Sequence, residues 1–167
     1  RAGNTDIFVI NADGSNLVNL TQDLEPNTNP VWSPDGQQIA FVTVKNDYSN
    51  IFTVNADGSG LRQLTERSTR TGFLAWSPTG KQIVFNTDRS GNWDIFTVNT
   101  SIGGLVPISQ NQAFDGEPDW STDGLHVAFH SDRDGNMDIY IVNADGSGLK
   151  RLTTDAEFDG FPDWHMP

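Results

Sequence analysis

Short apolar runs alternate with turn-forming residues along the whole chain. One kind of run is Ile39-Ala40-Phe41-Val42, which reappears as Ile83-Val84-Phe85 and Val127-Ala128-Phe129. A second kind is β-branched and aromatic, as strands prefer: Ile51-Phe52-Thr53-Val54 and Ile139-Tyr140-Ile141-Val142. A third, Leu149-Lys150-Arg151-Leu152-Thr153, places polar residues between apolar ones, which fits a half-exposed outer strand. Between the runs lie turn signals such as Ser33-Pro34-Asp35-Gly36 and Asn143-Ala144-Asp145-Gly146-Ser147-Gly148. No window has the three-to-four spacing of a long amphipathic helix.

The pattern is periodic. Trp32, Trp76, Trp120 and Trp164 follow one another at steps of 44 residues. Ile7, Ile51, Ile95 and Ile139 keep the same step, as do Asn11, Asn55, Asn99 and Asn143. Units of roughly 40–45 residues with four short strands predict the blades of a β-propeller. We label the strands a (ending at the Trp), b (the Ile-Ala-Phe type), c (the Ile-Phe-Thr-Val type) and d (the Leu-x-x-Leu-Thr type). A single such sheet cannot bury both faces, so neighbours must stack on it. The predicted fold is all-β, a propeller of four repeats in one domain. It has a partial blade at 1–27, blades at about 28–66, 72–110 and 116–154, and a terminal strand at about 160–167.

The motifs Pro30-Val31-Trp32-Ser33-Pro34-Asp35-Gly36, Asp138-Ile139-Tyr140-Ile141-Val142-Asn143-Ala144-Asp145-Gly146 and Ser131-Asp132-Arg133-Asp134-Gly135-Asn136 resemble the repeats of TolB-like propellers. The resemblance implies a periplasmic or otherwise exported β-propeller that binds other proteins. Related repeats accompany peptidase domains and occur in some polysaccharide lyases, so fold follows from the likeness more directly than function. Four repeats fall short of the six-bladed ring that the resemblance implies. The expected outcomes are association of copies, truncation from a longer chain, or a strained closed ring. Unclosed ends favour association, because they leave blade faces and strand edges exposed.

Composition narrows the partners. The net charge of −12 disfavours nucleic acid and anionic lipid and favours cations and basic protein surfaces. No stretch approaches the roughly 20 apolar residues of a membrane span, and the opening Arg1-Ala2-Gly3-Asn4 does not read as a secretory leader. Cysteine is absent, which removes thiolate chemistry and disulfides. In a propeller the b–c and d–a loops share one face, and most of the acids fall there, Asp23, Asp47 and Glu66 among them. Arg1 and Arg67 also fall there, and the face stays negative.

Two acidic clusters stand out. In Asp132-Arg133-Asp134-Gly135-Asn136-Met137-Asp138, oxygen-bearing side chains alternate around a glycine turn, like the front of a calcium loop. Asp88, Asn92 and Asp94 repeat it more weakly, with Ser90 for an Asp. Two readings stand: Ca²⁺ held by Asp132, Asp134, Asn136 and Asp138, or a hairpin whose Asp side chains bond backbone amides. The second cluster, Asp115 and Asp119 with their repeats Asp159 and Asp163, descends toward the propeller axis. It is expected to line the channel or bind a partner, with Asp119 and Asp163 holding a metal or a cationic group there; the alternative is acids that are solvated or bond neighbouring backbone. Trp93, off the repeat, is the candidate contact residue, with loop packing as its alternative. His126, His130 and His165 lack a zinc spacing, and no nucleophile elbow or phosphate loop is present. The sequence predicts a noncatalytic binding module. The alternatives are a calcium-dependent self-assembling protein and a piece of a propeller-bearing hydrolase or lyase.

Overall fold

Where the turn sequences fall, the chain reverses. In the computed structural model, which describes residues 4–22, 25–66 and 70–164, every regular element among them is a strand. Ser33 Oγ and the Gln37 amide both donate to Asp35, at 2.6 and 3.0 Å, and Gly36 takes φ +68°. A side chain at that φ would be strained, which is why glycine ends this turn.

The strands are β1 (Phe8–Val9), β2 (Val18–Asn19), β3 (Asn27–Trp32), β4 (Gln38–Lys45), β5 (Tyr48–Asn55), β6 (Arg62–Gln63) and β7 (Thr71–Trp76). They continue as β8 (Gln82–Thr87), β9 (Asp94–Asn99), β10 (Leu105–Pro107), β11 (Asp115–Trp120), β12 (His126–Ser131), β13 (Asp138–Asn143) and β14 (Lys150–Arg151). They form three four-stranded antiparallel sheets, each in chain order, and a two-stranded sheet of β1 and β2. The first strand of each complete sheet breaks register once, between Thr28 and Val31, Thr71 and Leu74, and Gly116 and Asp119. The bulge bends the strand and re-aims its side chains. Glu117 takes φ +51° inside it. The described residues 160–164 form no strand; in each complete sheet the matching segment pairs with the strand that follows it.

The core lies between sheets. One cluster joins the sheet β3–β6 to the sheet β7–β10 through Val42, Leu64, Trp76 and Phe85. A second joins β7–β10 to β11–β14 through Ile95, Ile108, Trp120 and Phe129. A third joins β1–β2 to β3–β6 through Ile7, Leu20 and Phe41. Trp76 and Trp120 are 9% and 4% exposed, whereas Trp32 is 51% exposed. The difference is the preceding sheet: Trp32 follows a sheet reduced to two strands among the described residues. Trp76 also donates from Nε1 to the Val31 carbonyl at 3.1 Å, tying one first strand to the next.

Candidate binding face

The loops between second and third strands stitch each sheet to the segment that follows it. Asn136 donates from Nδ2 to the carbonyls of Asp155 and Glu157, at 3.0 and 2.9 Å. Asn92 does the same to the Ala113 carbonyl at 2.7 Å, and Asn4 to that of Glu25 at 3.1 Å. Asp132 accepts from the Phe114 amide, and Asp88 from the Arg70 amide, each at 2.8 Å. These are the Asp-to-backbone contacts of the hairpin alternative. In the first sheet the loop is gone: β4 and β5 pair to Lys45 and Tyr48 around Asn46-Asp47, both at positive φ.

The carboxylates of the calcium-like loop face donors from their own chain. Asp134 accepts from the Tyr140 hydroxyl at 2.6 Å. Burial first, and then this bond, pushes the phenol up to about 12. Asp138 is fully buried and meets Arg151 Nη2 at 2.6 Å. The repeat position of Arg151 is Pro107, so Asp94, also buried, faces no guanidinium there and is met by Asn92 and the Asn111 amide, each at 3.4 Å, and by the Ser90 hydroxyl. Burial holds its carboxyl above the usual carboxylate range. Among the described residues no three acidic or histidine side chains gather as a metal would need.

The second cluster divides. Asp115, fully buried, takes Arg133 at 2.8 Å and Asn111 Nδ2 at 2.6 Å, so it braces the sheet. Asp119 accepts from the Trp164 amide at 2.9 Å and holds the terminal segment beside β11. Asp159 Oδ2 is buried without a hydrogen bond. Asp119 and Asp163 do share one cavity, of about 360 Å³, with Glu117, Phe73 and Phe161. Two aspartates and Glu117 beside two phenyl rings suit a cationic group with apolar stem, whose charge would also draw the buried Glu117 toward its ionised form. Trp93 is half-buried, tilted against Phe114 with ring centres 6.3 Å apart.

One arrangement escapes the sequence reading. His130, 4% exposed, stacks on Phe114 at 5.6 Å and meets Phe158 and Phe161 edge-on. Its Nδ1 lies 3.3 Å from Glu117 Oε2. Neither atom makes a hydrogen bond. Burial lowers the imidazole and raises the carboxyl, so both lean toward their neutral forms. A Cβ at Gly116 would sit 2.8 Å from His130 Nε2, so glycine makes the room. The doubled Phe-Asp-Gly of Phe114-Asp115-Gly116 and Phe158-Asp159-Gly160 was the available signal. His126 lies apart, 3.9 Å from Asp123. His165, Asp23, Arg1 and Arg67 lie outside the described residues.

Comparison with known proteins agrees on the fold. A family model described as the TolB beta propeller domain matches residues 62–166. The Tol-Pal system protein TolB of Blochmanniella pennsylvanica is 36% identical over 44 residues, which is 26% of this chain and 10% of that protein. A solved protein assigned as TolB from Agrobacterium tumefaciens superimposes with TM-score 0.79 at 23% identity, over 92% of this chain and 58% of that one. A puromycin-hydrolyzing peptidase of Mycobacterium tuberculosis gives TM-score 0.75 at 16% identity, over 91% of this chain and 28% of that one. The chain thus spans little more than half of the Agrobacterium protein, and the Blochmanniella match covers a tenth of its relative.

Proposed function

The chain belongs to the TolB beta propeller domain family, and from that membership we propose that it is a noncatalytic protein-binding module whose acidic cavity receives a basic segment of a partner protein. The observation that carries the reading is the grouping of Glu117, Asp119 and Asp163 with Phe73 and Phe161 around one cavity. Rigid sheets present the loops, and the excess negative charge steers a basic partner toward them. His130, the buried base, lies behind phenyl rings and offers no group to a substrate. The likeness to a peptidase is below the identity at which chemistry transfers, and it speaks for the fold. Periplasmic or extracellular placement is part of the same reading. Calcium-dependent assembly draws no support from loops whose carboxylates already face Arg151, Tyr140 and backbone amides.

The half-exposed Trp32 adds self-association to the proposal, since its repeats Trp76 and Trp120 are covered by a neighbouring sheet. Fluorescence anisotropy tests the main reading with a lysine-rich peptide and an acidic one of equal length. The basic peptide is expected to bind, more weakly at high salt, and about fivefold or more weakly to Glu117→Gln/Asp119→Asn/Asp163→Asn. Equal binding of both peptides, or indifference to the triple change, would overturn it.

A further inference from the structure

The third sheet carries a guanidinium on its own aromatic pair. Arg133 lies 5.3 Å from the Phe129 ring centre and 4.7 Å from that of Tyr140. It donates from Nε to Ser131 at 2.9 Å and from Nη2 to Asp115 at 2.8 Å. The second sheet repeats the arrangement, with Arg89 at 5.6 Å from Phe96. In each case the two rings beneath lie side by side, Phe129 with Tyr140 at 5.9 Å and Phe85 with Phe96 at 6.3 Å.

The first sheet has the rings without the guanidinium. Phe41 and Phe52 are stacked at 5.9 Å and 20°. The arginine position is occupied by Lys45. The tight β4–β5 hairpin fixes Lys45 opposite Tyr48, and its largely exposed ammonium lies 3.0 Å from Glu25. A cavity of about 280 Å³ is left above the rings, lined by Phe41, Phe52, Asn50, Glu25 and Gln63, with Lys45 at its edge beside Glu25. Gln63 stands where the third sheet has Arg151, and Asn50 where it has Asp138. Asn50 Oδ1 is buried there and accepts no hydrogen bond.

We propose that this cavity is a binding site for a guanidinium group from outside the chain, an arginine side chain of a partner protein or peptide. The third sheet shows what fills the equivalent space when the chain supplies it: a planar cation laid on the paired rings, with Asp115 and Ser131 as acceptors at its edge. The repeat positions of Asp115 and Ser131 are Asn27 and Thr43, which bond each other at 2.7 Å, so the acceptors offered in the first sheet are the Glu25 carboxylate, shared with Lys45, and the buried Asn50 carbonyl oxygen. A guanidinium stacks on a ring and reaches two acceptors at once, whereas an ammonium is a compact, strongly hydrated point charge. The site is separate from the cavity of Glu117, Asp119 and Asp163, with no lining residue in common.

The test is an NMR titration of the full chain with Nα-acetyl-arginine amide, following the Phe52 ring and the Asn50 side-chain amide. The lysine and citrulline analogues serve as controls. Saturable shifts are expected at both residues with arginine, none with citrulline, and at least fivefold weaker binding of lysine. Glu25→Gln should weaken the arginine titration about fivefold. Gln63→Arg should fill the space from within and abolish it. The triple change at Glu117, Asp119 and Asp163 should leave it intact. Absence of saturation at Phe52, equal binding of the three compounds, or full binding by Gln63→Arg would overturn the proposal.

Discussion

Arg151 donates to Asp138 at 2.6 Å, from the outermost strand of the third sheet to a carboxylate with no exposure to solvent. A buried charge of this kind depends on its partner, because the charge has lost its water. Arg151 is itself a quarter exposed, which moderates the effect. Arg151→Met is expected to destabilise the chain by about 2–3 kcal/mol in urea unfolding. Adding Asp138→Asn to that variant should recover part of the loss, since the orphaned charge goes with it.

The tryptophans should separate by place. Trp76 is buried between two sheets, so Trp76→Ala should cost about 3–5 kcal/mol. Trp32 is half exposed, and Trp32→Ala should change the same unfolding midpoint little, by about 0.5 kcal/mol. If copies associate through the Trp32 face, sedimentation velocity will show a smaller species in this variant.

The buried pair His130 and Glu117 sets opposite trends with pH. Burial lowers His130 below 6.5, against the opposing charges of Asp115 and Asp132. Its stabilising contribution is therefore whole above 6.5 and is lost as pH falls through the depressed native value. Glu117 is raised above 4.5 by burial, against a hydrogen bond from the Phe161 amide. Its contribution is present below 4.5 and is lost as pH rises through the raised native value. His130→Phe should flatten the stability profile on the acid side of 6.5. Glu117→Gln should raise stability at neutral pH relative to the native chain, the gain shrinking as pH falls through the raised native value and gone below 4.5. Urea midpoints measured from pH 4 to 8 check both.

Asp119 should act as a tether. Its carboxylate accepts from the Trp164 amide at 2.9 Å. Asp119→Ala should cost about 1 kcal/mol and speed hydrogen exchange at that amide. Asp119→Asn keeps an acceptor oxygen and should lie close to the native chain in exchange rate.

The fold was legible because the repeat was. Equal spacing of Trp32, Trp76 and Trp120 located the first strands, and the Asp-Gly turns located the reversals. Less legible was what the loop acids do. Asp134 and Asp138 look like metal ligands in sequence, yet Tyr140 and Arg151 come from strands that the spacing alone does not set against them. The pairing of Glu117 with His130 was hidden for a related reason. It depends on a bulge that turns Glu117 inward at positive φ, where a regular strand would place it by simple alternation. The matched halves of the aromatic pairs were readable, but the vacancy beside Phe41 and Phe52 emerges only from the hairpin register at Lys45.

The three hydrophobic clusters have no residue in common, and each spans one junction. The energetics are therefore those of a row of nearest neighbours, with no central mass on which every unit leans. Damage at one junction is felt by two sheets and fades beyond them. Unravelling under heat or force should start at an outer sheet and advance inward, one junction at a time.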